Sequence, residues 1–324
     1  MIRAADNNTR RTFPSISCSQ VGVAVIALTA AVSVARAEPS DAAKLFPREL
    51  VEFAPYEKNP VFTAQGEGHW DVAIRERGWI LRDEDGWHLW YTGYDGTRPG
   101  QKMLGYASSS DGLKWERSPR NPLVRDFWIE DMMVVPHGNG WYMFAEGKGD
   151  RAHLFWSTDR LTWKRIGPID IRTTNETPIE PGPYGTPTAW FENGTWYLFY
   201  ERSDLGIWLA TSKDMKVWVN VQDEPVIAPG PGDYDRKLVA LNQIVKRGDR
   251  YFAYYHSSAG DRKPALWTTN IATSTDLVNW VKYPGNPLFP VDENKSSGIL
   301  VPDGKRNRLY TMHGRVDVHF EGER

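Results

Sequence analysis

The sequence contains a single cysteine and one long apolar run, and both lie near its N-terminus. Cys18 is the cysteine, so a chain that loses its N-terminal segment can form no internal disulfide. The apolar run, VGVAVIALTAAVSV from Val21, is too short for a membrane-spanning helix. It follows a polar, Arg-containing stretch and precedes the A-x-A cleavage pattern ARA at residues 35–37. Residues 1–37 are therefore predicted to be a secretory signal peptide.

The same stretch indicates where the protein is located. The string TRRTF at residues 9–13 resembles the twin-arginine export signal. We expect a bacterial protein that is periplasmic or secreted, and no other segment of the sequence is apolar enough to hold it in a membrane.

Several other signals are missing, and each absence excludes a class of function. The 39 Lys and Arg residues are balanced by 41 Asp and Glu, with no basic run, so nucleic acid is not an expected partner. No glycine-rich phosphate loop opens a helix, and no G-x-S-x-G elbow is present. Because no potential metal ligands are closely spaced, we predict no metal and no cofactor. The one ion considered is a central structural ion near His313.

Helical periodicity is missing after the N-terminus, and a repeat takes its place. The heptad Ser-x-Asp-x-x-x-Trp occurs four times, as SSDGLKW, STDRLTW, SKDMKVW and STDLVNW, starting at Ser109, Ser157, Ser212 and Ser274. The repeat length of about 55 residues is typical of propellers and related arrays. Because Ser and Asp side chains cap turns and Trp buries a large area between blades, we interpret these heptads as scaffold.

Each heptad is preceded by the same succession of short runs. An apolar run and a Gly turn lead to an aromatic run, such as WHLWYTG from Trp87 or WYLFYER from Trp196, and then to a third strand. Five copies of this pattern, the last being RLYTMHG from Arg308, predict an all-β fold. We predict a five-bladed β-propeller with four antiparallel strands per blade, which forms a single domain over residues 38–324.

In such a propeller the start of each first strand and the end of each second strand lie at the same mouth. Alignment of the five second strands places one column of residues there: Thr92, Glu146, Glu201, His256 and His313. One interpretation of this column is that it has no function, because strand ends are often polar simply where they face water. Carboxylates that face each other across a pocket are, however, what glycoside hydrolysis requires.

The catalytic residues are predicted from this column and from the starts of the first strands. We predict Glu201 as general acid, Glu76 as base or nucleophile and Asp131 as an orienting carboxylate, with Asp71 and Glu146 as alternates. Burial against tyrosines would raise the pKa of Glu201, as an acid requires. The predicted substrate-binding residues are Arg75, Trp70, Arg202, His256, His313 and Tyr184.

The strings HLWYTGYDG, LGYASSSDGLKWERSPRNPLV and WLATSKDMKVW resemble the five-bladed propeller glycosidases, which include glycoside hydrolase families 43, 32, 68, 117 and 130. The resemblance covers roughly residues 50–315 and implies a carbohydrate ligand and a family 43-like glycosidase. The family 43 triad is not present in its usual form. Glu76-Arg77 stands where that family has Asp-Pro, and Gly185-Thr186-Pro187 stands where it has Glu-Gly-Pro.

The main expectation is a secreted hydrolase of a plant or algal glycan, and it requires two carboxylates within about 10 Å at the mouth. One alternative is a polysaccharide lyase, in which His256, His313 or Tyr184 abstracts a proton while Arg75 or Arg202 neutralises a uronic acid. It requires these groups to converge in one pocket. The other alternative is a non-catalytic sugar-binding propeller, whose carboxylates would pair with Arg or Lys.

Overall fold

The computed structural model describes residues 41–75 and 77–322. The predicted signal peptide and Glu76 lie outside the described residues. The helices of the described part are four 3₁₀ turns, Ala43–Leu45, Arg48–Leu50, Asp233–Asp235 and Val291–Glu293. None of the described helices has the length and apolarity needed to cross a membrane.

Two short strands, β1 (Phe53–Pro55) and β2 (Phe62–Thr63), precede five sheets that follow the chain in order. The first blade contains β3 (Ala73–Ile74), β4 (Trp79–Asp83), β5 (Gly86–Tyr94), β6 (Met103–Ser109) and β7 (Glu116–Arg117). The second contains β8 (Glu130–His137), β9 (Gly140–Gly147), β10 (Arg151–Ser157) and β11 (Lys164–Pro168).

The third blade contains β12 (Asp170–Arg172), β13 (Gly185–Glu192), β14 (Thr195–Glu201), β15 (Ile207–Ser212) and β16 (Val217–Asn220). The fourth contains β17 (Leu238–Arg247), β18 (Arg250–Ser258), β19 (Thr268–Ser274) and β20 (Val281–Lys282). The fifth contains β21 (Ile299–Asp303), β22 (Arg306–Met312) and β23 (Arg315–Glu321). The predicted all-β, five-bladed propeller is confirmed.

The fifth blade takes its outer strands from the N-terminal side of the domain. Strand β1 pairs antiparallel with β23, with Phe53 opposite Glu321, and β2 pairs with the same strand, with Phe62 opposite Val316. This arrangement was not predicted from the repeat. It joins the two ends of the domain in one sheet and covers an edge that would otherwise be open to pairing with another chain.

The four Ser-x-Asp heptads cap the turns between third and fourth strands, as predicted. In the first, Ser109 Oγ accepts the N–H of Gly112 at 2.9 Å. Asp111 Oδ1 accepts the N–H groups of Leu113 and Lys114, both at 2.8 Å. The same bonds recur in the second and fourth heptads, where the acceptors are Ser157 and Asp159, and Ser274 and Asp276. In the third, Ser212 accepts the N–H of Met215 and Asp214 that of Lys216.

Two of the heptad tryptophans contact the preceding blade. Trp218 of the third blade lies 6.1 Å, ring centre to ring centre, from Phe144 of the second. Trp280 of the fourth lies 6.2 Å from Phe199 of the third. These edge-to-face contacts bury large apolar surfaces between blades and confirm the scaffold interpretation of the heptads.

The inner strands begin with irregular backbone. The register of β8, β13 and β17 shifts within the first residues of each strand. Asp131 and Thr186, which lie in two of these shifts, have positive φ values of 44° and 45°. Residues other than glycine rarely adopt this backbone conformation, and such backbone strain concentrates at functional sites. A bulge also changes the direction in which a side chain points.

Arg77 connects four blades at the centre of the ring. Its side chain is fully buried and donates to the Thr188 hydroxyl at 2.6 Å, to the Pro187 carbonyl at 2.8 Å and to the Leu241 carbonyl at 3.0 Å. It also donates to the backbone carbonyl of Asp131. Burial lowers the pKa of Arg77 to about 10, so it remains a cation at neutral pH. It holds the inner strands of blades two to four against the first.

Candidate active site at the propeller mouth

A cavity of about 730 Å³ opens where the inner strands begin. Six acidic residues line it: Glu130, Asp131, Glu146, Asp150, Glu201 and Asp204. The other lining residues include two arginines, two tryptophans and a histidine: Arg75, Arg98, Trp128, Trp267 and His256. Its size is within the usual range for small-ligand sites. The predicted meeting of first-strand starts and second-strand ends is therefore seen at this mouth.

Glu146 and Glu201 are held by two consecutive backbone N–H groups. Gly185 N–H donates to Glu201 Oε1 at 3.0 Å, and Thr186 N–H donates to Glu146 Oε2 at 2.9 Å. Asp204 N–H donates to the second oxygen of Glu201. The two glutamates come from the ends of β9 and β14, and the start of β13 positions both of them.

A glycine at position 185 is what allows this approach. A Cβ added there would lie 2.1 Å from Glu146 Oε2 and 2.5 Å from Glu201 Oε1. The two carboxyl groups therefore face each other across Gly185, within the distance that the hydrolase prediction required.

The surroundings favour a proton on these groups. Burial, followed by the negative charges of Asp131, Glu130 and other carboxylates, raises the pKa of Glu146 well above its ordinary value. Burial raises the pKa of Glu201 to about 7, although the N–H groups of Asp204 and Gly185 oppose the shift because they stabilise the anion. The predicted elevation of the Glu201 pKa, with burial as its cause, is seen.

Glu130 extends the acidic group. Its Oε1 accepts the indole N–H of Trp128 at 2.6 Å, and its Oε2 lies 3.0 Å from Arg75 Nε. One oxygen each from Glu130, Glu146 and Asp150 lies within 4.8 Å of the others, which is the one such group of potential metal ligands in residues 41–75 and 77–322. It does not include His313, near which a structural ion was considered.

Lys102 supports the wall of the cavity from behind. Its ammonium group lies 4.0 Å from the ring centre of Tyr94 and 4.7 Å from that of Trp128. It also donates to three backbone carbonyls at 2.9 to 3.3 Å, those of Thr97, Arg98 and Gly100. This buried cation fixes both the loop that carries Arg98 and the indole that binds Glu130. Sequence reasoning missed it, because a lone lysine in a loop carries no pattern.

Five of the predicted site residues meet in the cavity: Asp131, Glu146, Glu201, Arg75 and His256. Sequence reasoning did not select Asp150, Asp204 or Arg98, which lie in loops beyond the strand ends. Glu130 was not among the predicted site residues either. It precedes Asp131 at the start of β8, so the adjacent acidic pair in the sequence could have indicated it.

Asp71 and Trp70 do not line the cavity. Asp71 is fully buried, and its Oδ2 accepts Arg117 Nε at 3.1 Å and the Tyr91 hydroxyl at 3.3 Å. The Trp70 ring packs 5.7 Å from that of Tyr91. Asp71 therefore forms a structural ion pair inside the first blade, and Trp70 belongs to its packing.

Arg202 and Tyr184 also lie away from the cavity lining. Arg202 donates to the carbonyls of Glu180 at 2.8 Å and Pro183 at 3.3 Å, so it supports the loop before β13. Tyr184 packs against the core next to that loop. His313 lines a separate cavity, and Glu76 lies outside the described residues.

His256 is a buried neutral imidazole. Burial, with the charge of Arg77, lowers its pKa to about 3, and its Nδ1 lies 2.8 Å from the side-chain amide of Asn242. A group with so low a pKa is a weak base at neutral pH. Its contacts are those of a polar residue that fixes the channel wall.

Comparisons with known proteins agree with this architecture. No protein-family model matches the chain. It is similar to a 1,2-β-oligomannan phosphorylase of Thermoanaerobacter sp. (strain X514), with 24% identity over 227 residues that cover 64% of this chain and 73% of the phosphorylase. A glycosyl hydrolase from Bacteroides ovatus superposes with a TM-score of 0.68 at 14% identity, covering 83% of this chain and 93% of that one.

A second similar structure comes from work on glycoside hydrolase family 130, described as mannoside phosphorylases that include hydrolases of β-1,2-mannosidic linkages in Candida mannan. It has a TM-score of 0.66 at 14% identity and covers 83% of this chain and 93% of that one. The expected resemblance to five-bladed propeller glycosidases is confirmed. At such identities the likeness shows the fold, and the family named is 130 rather than 43.

Proposed function

We propose that this protein hydrolyses the glycosidic bonds of a mannoside at the propeller mouth, with β-1,2-linked mannan oligosaccharides as the first substrates to test. The observation that carries the proposal is the buried pair of glutamates, Glu146 and Glu201, which face each other across Gly185 in a cavity of about 730 Å³. The similar proteins suggest the mannoside class. The plant or algal origin of the glycan and the secreted location stay predictions.

The pair supplies an acid and a base. Burial and neighbouring carboxylates raise the pKa of Glu146 well above its ordinary value, and its carboxyl group accepts one backbone N–H. These surroundings favour its protonated form, which donates to the leaving oxygen. Both oxygens of Glu201 accept N–H bonds. With a pKa of about 7 it can, as the anion, attack the sugar or accept a proton from water. The close approach of the two carboxyl groups across Gly185 is nearer to the spacing of retaining glycosidases than to that of inverting ones. This assignment moves the acid role predicted for Glu201 to its partner.

The charge of the cavity favours water over phosphate as the attacking group. Six carboxyl groups and two arginines line it, and one of the arginines, Arg75, is already paired with Glu130. Protonation of Glu146 and Glu201 still leaves more negative than positive charge. A phosphate dianion would enter against this charge, whereas water would not.

The two alternatives find less support. The lyase required the histidines, arginines and Tyr184 to converge, but of these only Arg75 and His256 line the cavity, and the pKa of His256 lies near 3. The binding module required carboxylates paired with Arg or Lys. Glu146 and Glu201 are held by backbone N–H groups instead.

The test is mass spectrometry of products after incubation with β-1,2-mannobiose and a panel of neutral and uronic oligosaccharides, with and without inorganic phosphate. Hydrolysis gives products that carry one added water in both conditions. A sugar phosphate formed only with phosphate would establish phosphorolysis instead. Unsaturated products would establish a lyase, and binding without any product would establish a binding module.

Matched variants identify the residues responsible. Glu146→Gln and Glu201→Gln should each lower kcat by a factor of about 10² to 10⁴, the usual contribution of general acid or base groups. The control is Glu192→Gln, which removes a carboxylate that is also hydrogen-bonded, to Tyr251 at 2.5 Å, but lies at the end of β13 remote from the cavity lining. Equal activity in all three variants would contradict the assignment.

A further inference from the structure

A second, smaller cavity of about 290 Å³ lies in the fifth blade. Residues 293–295, before β21, form one side, and the ends of β22 and β23 form the other. Thr311 and Asp317, which face each other across these two strands, belong to its wall and are nearly inaccessible to solvent. Two of the polar side chains on its wall are thus taken out of water by the fold.

One of these side chains has an unused acceptor. Asp317 Oδ2 accepts from Arg315 at 3.1 Å, but Asp317 Oδ1 is buried and has no hydrogen-bond partner among the described residues. Leaving a buried carboxylate oxygen unpaired costs free energy, and native proteins normally satisfy such atoms. A hydroxyl donor from a ligand would supply the missing bond.

The charges of the cavity select a neutral ligand. Lys295 Nζ lies 2.7 Å from Glu293 Oε2, and Arg315 pairs with Asp317, so each cation is already balanced by a carboxylate. Burial, followed by the charge of Arg75, lowers the pKa of His313, which keeps this ring neutral. With no surplus positive charge, an anion gains little here, whereas a polyhydroxylated molecule can donate to the free acceptor.

One hydrogen bond joins the linings of the second cavity and the mouth cavity. The side-chain oxygen of Asn294, on the second cavity, accepts the backbone N–H of Trp267, on the first, at 2.8 Å. The charge of Arg75, which lines the first cavity, also contributes to lowering the pKa of His313, which lines the second. Because the two linings are in direct contact, the second cavity is placed to receive the next unit of a sugar chain that is held at the mouth.

We infer that the cavity bounded by Asn294, Thr311, His313 and Asp317 is a distal subsite that binds the hydroxyl groups of one neutral sugar unit beyond the cleaved bond. Its volume lies at the lower end of ordinary ligand pockets, which suits one ring rather than several. This inference rests on the proposed glycoside-cleaving function, and it adds a preference for substrates longer than a disaccharide.

The test compares β-1,2-mannotriose with β-1,2-mannobiose. In the wild type we expect KM to be lower for the trisaccharide. Asp317→Asn should raise the ratio of the trisaccharide KM to the disaccharide KM about tenfold, as expected for a lost hydrogen bond to a charged group. The control is Asp235→Asn. Asp235 is also fully buried, pairs with Lys282 at 2.6 Å and has an unpartnered Oδ1, but lines neither cavity.

The outcomes separate the two proposals. If both sugars are cleaved but their KM ratio is the same in the wild type and in Asp317→Asn, the cavity holds water only and the inference fails while the function stands. If neither sugar is cleaved, the function fails, and calorimetry on the wild type decides the subsite. Tighter binding of the trisaccharide that Asp317→Asn abolishes would support it. Equal affinity, or no binding of either sugar, would overturn it.

Discussion

Replacement of Gly185 by alanine should disable the proposed catalytic pair while leaving the propeller folded. The new Cβ would lie 2.1 Å from Glu146 Oε2 and 2.5 Å from Glu201 Oε1, whereas real Cβ contacts essentially never fall under 3.0 Å. At least one carboxyl group must therefore move by about 1 Å, and a displacement of that size in a catalytic site costs on the order of 10² in rate. The φ angle of Gly185 is one that alanine accepts, so backbone strain does not contribute.

The assay is kcat for the best mannoside, together with thermal unfolding of both proteins. We expect kcat to fall about 100-fold, while overpacking lowers the free energy of unfolding by about 1–3 kcal/mol. Gly322→Ala serves as the control, because its added Cβ meets nothing closer than 3.6 Å. A folded Gly185→Ala protein with kcat within about threefold of the wild type would show that the paired glutamates do not perform the chemistry.

Three further predictions follow from the charges. Below pH 7, kcat/KM should fall as Glu201, with its pKa near 7, becomes protonated and stops acting as a base; a fall above pH 7 instead would return the acid role to Glu201. Because burial raises the folded-state pKa of Glu201 from 4.5 to about 7, stability present at low pH is lost as pH rises through this window. Urea titrations should therefore show that the free energy of unfolding of Glu201→Gln, relative to that of the wild type, increases by up to about 3 kcal/mol between pH 5 and pH 8. A difference between the two proteins that is the same at both pH values would contradict the raised pKa. Asp71→Asn should lower the free energy of unfolding by about 1–3 kcal/mol through loss of its bond with Arg117 with kcat unchanged, and a selective loss of kcat would restore Asp71 as a catalytic residue.

The fold could be predicted because its signals are local and repeated. A Ser-x-Asp heptad specifies its own turn, since Ser109 and Asp111 bind backbone N–H groups at most three residues away. Five copies of the strand pattern, four of them followed by such a heptad, then give the number of blades. The closure of the fifth blade could not be counted in this way, because β1 and β23 pair over more than 250 residues without a shared pattern.

The site was predicted in outline but not in detail. The repeat alignment placed Glu146, Glu201 and His256 at one mouth, because the order of strands within a blade fixes which ends meet. It could not show that Asp71, at a similar position near the start of the first blade, turns inward to Arg117. Nor could it reveal Lys102, whose partners are backbone carbonyls and ring faces.

By itself, the sequence determined the repeated strands, their turns and the mouth at which the acidic residues gather, because these depend on short-range hydrogen bonds and on the alternation of apolar side chains. Only the tertiary structure decided which carboxyl groups become partners. Glu146 and Glu201 meet because the irregular start of β13 presents two successive N–H groups, with a glycine between the carboxylates. Their raised pKa values likewise depend on burial and on neighbouring carboxylates of the second and third blades. These are distances in space, which the spacing of residues along the sequence does not give.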